Sequence, residues 1–257
     1  MSRVFNGTSD LITLATSASL NSLLPAFTLM AWVNPANLQV GFNTPFFLGE
    51  VILLELNDLG GMAGSVITNA TQGYTEKDTT NIANNAWAHV AMAYNDNGDR
   101  LTHLFLNGVE LVAPFAQQTA ATGTVSIAGA ADGIGADAAA SVFWHGDIAE
   151  VRFYNTILTA AQITAAMNSS CPAVPSAVSA NLQAYLHLAG TTSPEPDSSG
   201  NGNVGILTGT TGGTDPPGLS PCSPSVINSG VPLGNAIFDY DFTDDSVLCE
   251  LQTGTLV

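Results

Sequence analysis

At 257 residues the chain is long enough for one large β domain, or a domain with an appendage, and can bury a substantial core. Only 10% of its residues are charged, well below the usual ~25% of globular domains. Its formal net charge of -17 comes from 21 acidic side chains against four basic ones, Arg3, Lys77, Arg100 and Arg152. The imbalance is a loss of Lys and Arg rather than an acidic coat. Without clustered cations, neither nucleic acid nor an anionic membrane surface is an expected partner. A weakly charged surface of Thr, Asn, Ser, Ala and Gly favours neighbours that cover it, which points toward an assembly. No apolar run of about 18 residues marks a transmembrane helix, and Met1-Ser2-Arg3 leads into Val4-Phe5 with no apolar leader, so no export is expected. Cys171, Cys222 and Cys249 are odd in number and widely spaced, with no CxxC pair. Structural zinc is therefore not expected, and reduced, packed thiols are favoured over a Cys171–Cys222 disulfide.

In chain order, residues 3–15 (RVFNGTSDLITLA) predict two short strands around a Gly-Thr-Ser-Asp turn. Residues 27–34 (FTLMAWVN) alternate and stop at Pro35, as a core-facing strand would. The apolar run 46–56 (FFLGEVILLEL) predicts one central strand, bent at Gly49. A turn at 57–61 leads to a further strand over 62–69, and the polar stretch 70–85 reads as loop. WAHVAMAYN (87–95) and LTHLFLNGVEL (101–111) predict a hairpin, with Asn107-Gly108 as a second tight turn. Segments 124–129 and 133–135 read as edge or return strands.

Residues 143–164 (FWHGDIAEVRFYNTILTAAQIT) combine a strand, a turn at Asn155-Thr156 and a short helix. Gly146 permits a close backbone approach. Thr159 and Gln162 form a capping box ahead of Ile163 and Met167. The Pro/Ser/Ala connector 171–179 marks a boundary, followed by a strand at 182–189, a Gly/Pro/Ser/Asp-rich stretch at 190–221, and an acidic–apolar alternation over 236–251. The chain thus divides into a jelly-roll domain, 1–170, and a Gly/Pro-rich extension, 171–257, that adds strands or inter-subunit contacts. Many short strands and one late helix predict an all-β fold, a two-sheet antiparallel jelly-roll sandwich.

The order RVFNGTSDLITL, FTLMAWVNP, WAHVAMAYN, LTHLFLNGVEL and FWHGDIAEVRFYNTILTAAQI resembles the laminin-G-like, concanavalin-A-like (pentraxin-related) jelly-roll superfamily over about residues 3–168. The pieces W-x-H-V-A, L-N-G and G-D-I-A-E-V-R-x-Y-N-x-x-L-T-x-x-Q-I carry it jointly. The resemblance implies a sandwich with a concave face, in a family whose members mostly bind carbohydrate, protein or Ca²⁺ and are seldom catalytic. The segment DSSGNGNVGILTG (197–209) resembles pieces that add strands to such sandwiches.

The same superfamily contains retaining glucanases with a strand bearing E-x-D-x-x-E. Here the comparable positions read His145-Gly146-Asp147-Ile148-Ala149-Glu150. Retaining chemistry needs two carboxylates about 5 Å apart, and His145 stands where the nucleophile belongs. Asp147 and Glu150 are therefore read as polar residues at the strand surface, with Glu150 near Arg152. Candidate calcium ligands are Asp96, Asn97 and Asp99 in the hairpin, or Asp132 and Asp137, but six to eight oxygens are needed and metal-free Asp/Asn/Gly turns are commoner. His89 and His103, on facing strands, are expected to lie close together without a third metal ligand. Trp32 and Trp87 are expected in the core, which leaves Trp144 as the tryptophan to stack on a sugar.

No catalytic residue, cofactor or metal site is assigned, and no enzyme activity is expected. The function expected from the sequence is a virion structural protein, a bacteriophage capsid decoration (cement) or other surface protein with a lectin-like fold. It would be a homo-oligomer made in the host cytoplasm, with capsid or other virion proteins and itself as partners. The alternative is an extracellular carbohydrate-binding adhesion module, Ca²⁺-dependent or not, with host-surface carbohydrate as ligand. A glycoside hydrolase is a remote third reading.

Overall fold

The computed structural model describes residues 2–219 apart from 40, 50, 81, 128–131, 137–140, 171–175 and 190–192. Asp137, the three cysteines and the acidic–apolar segment 236–251 lie outside the described residues.

Among the described residues, sixteen strands form two antiparallel sheets. In chain order they are β1 (Arg3–Asn6), β2 (Leu11–Leu14), β3 (Ala26–Pro35), β4 (Phe42–Leu48), β5 (Ile52–Asn57), β6 (Met62–Val66), β7 (Gly73–Lys77) and β8 (Ala88–Asn95). There follow β9 (Thr102–Leu106), β10 (Val109–Glu110), β11 (Gln117–Thr119), β12 (Asp132–Ile134), β13 (His145–Tyr154), β14 (Leu182–Leu186), β15 (Gly205–Thr208) and β16 (Thr211–Gly212). The first sheet runs β10-β9-β8-β3-β13-β1-β16, with β14 also on β13, and the second runs β11-β7-β6-β5-β4-β12-β2-β15. The helices are α1 (Ala18–Asn21) and α2 (Ala160–Met167).

The expected all-β sandwich is present, and its core follows from period-two alternation. Phe27, Leu29, Ala31 and Val33 of β3 meet Ile52, Leu54 and Leu56 of β5 in one cluster drawn from both sheets. A second cluster lies on the other side of the first sheet, where Met30, Ala91 and Phe105 pack under Leu158, Ile163 and Ala166. The helix that covers them starts as its sequence dictates: Thr159 and Gln162 exchange capping hydrogen bonds in a complete capping box. Thr28 Oγ1 anchors the turn before it, accepting from the Leu158 amide at 2.9 Å and donating to the Thr156 carbonyl at 2.8 Å.

β13 organises the first sheet. Its first half pairs with β1 on one side and β3 on the other; beyond a bulge at Ala149–Arg152, β14 takes the place of β1. Glu150 sits at this irregularity with φ +55. Gly146 is required where it stands, because a Cβ there would lie 2.2 Å from the Asn34 carbonyl oxygen.

Several strand expectations are corrected. The apolar run 46–56 is a hairpin of β4 and β5 turning through Gly49, not one bent strand. The stretch read as loop, 70–85, contains β7. Ile134 lies in β12, an interior strand between β4 and β2, and residues 124–127 form no strand. The hairpin β8–β9 is as expected, and Asn107-Gly108 turns with φ +50 and +79, as a type I′ turn requires. Residues 182–212 add β14 and β16 to the first sheet and β15 to the second.

Candidate functional site

The carboxylates that a glucanase reading would use are occupied by the fold. Asp147 accepts from Ser2 Oγ (2.6 Å), Asn34 Nδ2 (3.3 Å) and the Thr214 amide (3.2 Å). Glu150, expected at the strand surface, is instead buried, 5% exposed. It bonds to Arg152 Nη2 (3.1 Å), His187 Nδ1 (3.1 Å) and the Tyr185 hydroxyl. Burial alone would raise its pKa, yet the His187 hydrogen bond and the Arg152 charge outweigh that and hold it below the usual value. Arg152, itself buried, donates to the Ala166 and Ser169 carbonyls and stands 4.3 Å from the Tyr185 ring centroid. The cluster ties the end of α2 and β14 to β13 as one buried polar network.

The hairpin candidates for calcium are likewise engaged. Asp96 Oδ1 accepts from Arg100 Nη2 and Tyr94 Oη, both at 2.8 Å, and Asp99 Oδ2 lies 2.9 Å from His103 Nε2. Asn97 stands in the same turn, where its amide donates to Asn95 Oδ1. Asp132 is buried on the Gly49 amide at 2.7 Å, and burial pushes its pKa up to about 6 against that hydrogen bond. Among the described residues no group of three or more His, Cys, Asp and Glu could hold a metal ion.

His89 and His103 do not meet. The register sets His103 opposite Ala93 and His89 opposite Trp32, so His89 is buried edge-on to Trp32 while His103 is clamped between Asp99 and Glu110. Trp144 and Trp87 also exchange roles, while Trp32 is buried as expected. Trp144 is 0% exposed inside the sandwich core, whereas Trp87 is half-buried beside Trp32. A sugar cannot reach Trp144.

The described surface has its most suitable recognition chemistry on the outer face of the second sheet. Because Ile52, Leu54 and Leu56 of β5 face the core, the alternate residues Leu53 and Glu55 face outward. The register then places Leu53, Ser65, Tyr74 and Thr119 in one row across β5, β6, β7 and β11. The next row is Glu55, Ala63, Glu76 and Gln117. Glu55 and Glu76 are two strand spacings apart, roughly 10 Å across the sheet. Tyr74 Oη donates to Glu76 Oε2 at 3.0 Å, and burial, reinforced by Glu76, Glu55 and Asp78, raises the phenol's pKa above its ordinary value.

Beside this ring a groove of about 410 Å³ is lined by Thr71, Gln72, Tyr74, Gln117 and Thr119. Its hydroxyls and amides offer both donors and acceptors, its carboxylate neighbours accept only, and the tyrosine presents an apolar ring with a polar tip. A second cleft, of about 260 Å³, lies between the hairpin and the 111–118 segment, and apolar Leu101, Leu111, Val112 and Phe115 contribute much of its wall. The first groove was missed in the sequence because β7 reads as loop there. The signal available was the alternation of small Gly73 and Thr75 with Tyr74 and Glu76.

Residues 6–164 match the laminin G model described as the concanavalin A-like lectin/glucanases superfamily. Among solved structures, a protein from Bacteroides ovatus ATCC 8483, provisionally named as carbohydrate binding, superposes with a TM-score of 0.57 at 18% identity. The match covers 82% of this chain and 59% of that one, so this chain spans well under two thirds of its length. The heptameric SAP-like pentraxin of Limulus polyphemus gives a TM-score of 0.46 at 17% identity, covering 64% of this chain and 80% of that one. Domain 4 of an extracellular GH43 arabinanase from Geobacillus stearothermophilus, solved with arabinotriose, gives 0.45 at 20% identity, covering 64% and 75%. No curated protein matches the chain. With the match extending over more than half of its length and the two antiparallel sheets in place, the chain belongs to the concanavalin A-like lectin/glucanases superfamily.

Proposed function

We propose that this protein is a non-enzymatic carbohydrate-binding module and that the Tyr74 groove holds the glycan. The observation that carries this reading is the in-register grouping of one aromatic ring with hydroxyl, amide and carboxylate side chains beside a groove of about 410 Å³. Sugars offer an apolar C–H face for the ring and hydroxyls for the polar rim, and binding sites combine these features. The non-enzymatic part rests on β13, where Asp147 and Glu150 are each held by several hydrogen bonds and so are poorly placed to attack a glycosidic bond. The virion-surface role expected from the sequence draws no support from the groove, and the glycan-binding reading takes precedence over it.

A glycan array with wild type and Tyr74→Ala, each with and without chelator, tests the proposal. Binding by the wild type that is lost in a folded Tyr74→Ala variant is the expected result, unchanged by chelator because hydroxyls, amides and a ring need no calcium. No glycan bound under either condition would sink it.

A further inference from the structure

We propose that the glycan accepted by the Tyr74 groove carries no acidic group: neutral and amine-bearing sugars bind, whereas uronates, sulfated sugars and sialic acids are rejected. This rests on the glycan-binding reading above and deepens it to a ligand class.

The argument starts from an inventory that the sequence closes. Acidic ligands are recognised by Arg and Lys, whose N–H groups pair with carboxylate, sulfate or phosphate. The chain has four such side chains in all, and the structure commits each of them elsewhere. Arg3 is buried against Glu195, with Nη2 at 2.8 Å from the carboxylate. Arg152 is buried among Glu150, Tyr185 and the α2 carbonyls. Arg100 is bound to Asp96 and, at 2.6 Å, to the Gly123 carbonyl.

Lys77 is the only cation on β7. Strand alternation turns it away from Tyr74 and Glu76, and its ammonium donates to the Val112 and Pro114 carbonyls at 2.7 and 2.6 Å, 5.5 Å from the Phe115 ring centroid. The histidines do not supply the missing charge. His89, His103 and His145 lie on strands of the first sheet, and His187 follows β14 of that sheet on Glu150. The N-terminus of α2 is closed by its own capping box.

The groove face itself carries Glu55 and Glu76, with Asp78 just beyond β7, and all three act on Tyr74. An acidic sugar would therefore surrender its hydration beside like charges with no counter-ion to replace the water. A neutral sugar meets no such penalty, and its hydroxyls can donate to Glu76. An amine-bearing sugar gains an ion pair there. The groove's polarity fits a polyol and its charge selects which polyol.

The test is an array that presents matched neutral, amine-bearing, sulfated and sialylated oligosaccharides at low and at physiological salt. Acidic members are expected to bind at least about tenfold more weakly than their neutral counterparts, and the gap should widen at low salt, where screening is least. In Glu76→Lys, with folding checked by circular dichroism, the gap should narrow. An acidic glycan held as tightly as its neutral counterpart, and released by Tyr74→Ala, overturns the selectivity while leaving the glycan-binding reading intact. Silence across all four classes removes both.

Discussion

Arg3 and Glu195 form an ion pair between residues 192 positions apart, with side chains 1% and 2% exposed. Nε and Nη2 of Arg3 both donate to Oε2, at 3.2 and 2.8 Å. The pair joins the first strand to the segment that the Glu195–Gly205 bridge pins beside β15. Arg3→Met would leave a buried carboxylate without its counter-ion, and Glu195→Leu would take that carboxylate away from a buried guanidinium. Each change is expected to cost about 3–5 kcal/mol. The double variant removes both charges, so it should recover most of that loss rather than add to it. With a urea m-value of about 2 kcal/mol/M, each single variant lowers the unfolding midpoint by about 2 M at unchanged slope. The assay is equilibrium urea unfolding of the four proteins. Single costs below about 1 kcal/mol, or a double variant whose loss equals the sum, would refute the claim that burial makes this pair consequential.

Three further outcomes are expected. Trp144→Ala should cost about 3–5 kcal/mol by opening the core, with affinity for any glycan unchanged; lost binding at full stability would return this tryptophan to the surface role first expected of it. His89 is buried without a partner for Nδ1 among the described residues, and desolvation, with the Arg152 charge, lowers its pKa to about 3. The unfolded chain therefore takes up this proton near pH 6.5 and the folded one does not. Its stabilising contribution is complete above pH 6.5 and is lost toward pH 3, by about 1.4 kcal/mol per pH unit. His89→Leu should flatten that slope relative to wild type in urea titrations at pH 7 and 5, and identical slopes would contradict it. Finally, a chain cut after Asn168 should lose its cooperative melt, because β13 and β2 each lose a neighbour and both Arg3 and Glu150 lose buried partners. A sharp transition at the wild-type temperature would argue otherwise.

Local chemistry made much of the sandwich legible in advance. Thr159 and Gln162 specify a helix start through their own hydrogen bonds, Asn107-Gly108 specifies its turn, and β3 and β8 send alternate residues into the two clusters on either side of the first sheet. The failures share a physical origin in pairing that no short window contains. The chain reverses between β4 and β5, yet a run of apolar β-formers reads the same whether straight or folded back on itself. β7 has polar outward residues and small inward ones, so its strand character comes from the neighbours β6 and β11. Trp144 precedes the β13 alternation, and its placement is set by packing rather than by period. The separation of His89 from His103 is a matter of register. The groove depended on all of these, which is why Tyr74, Glu76 and Gln117 were out of reach until the strands were paired.

The first and last described strands have a mechanical consequence. β1 and β2 carry β16 and β15 on their flanks, and the Gly213 amide bonds to the Ser2 carbonyl at 2.9 Å, so the two ends of this arrangement touch. Tension applied between residues 2 and 213 would act across the strands and load the ladder one rung at a time, first Arg3 against Gly212, then Val4 against Thr211. Antiparallel pairs loaded this way unzip, whereas pairs pulled along their length must break many bonds together. A molecule held at residues 2 and 213 would peel open from that corner.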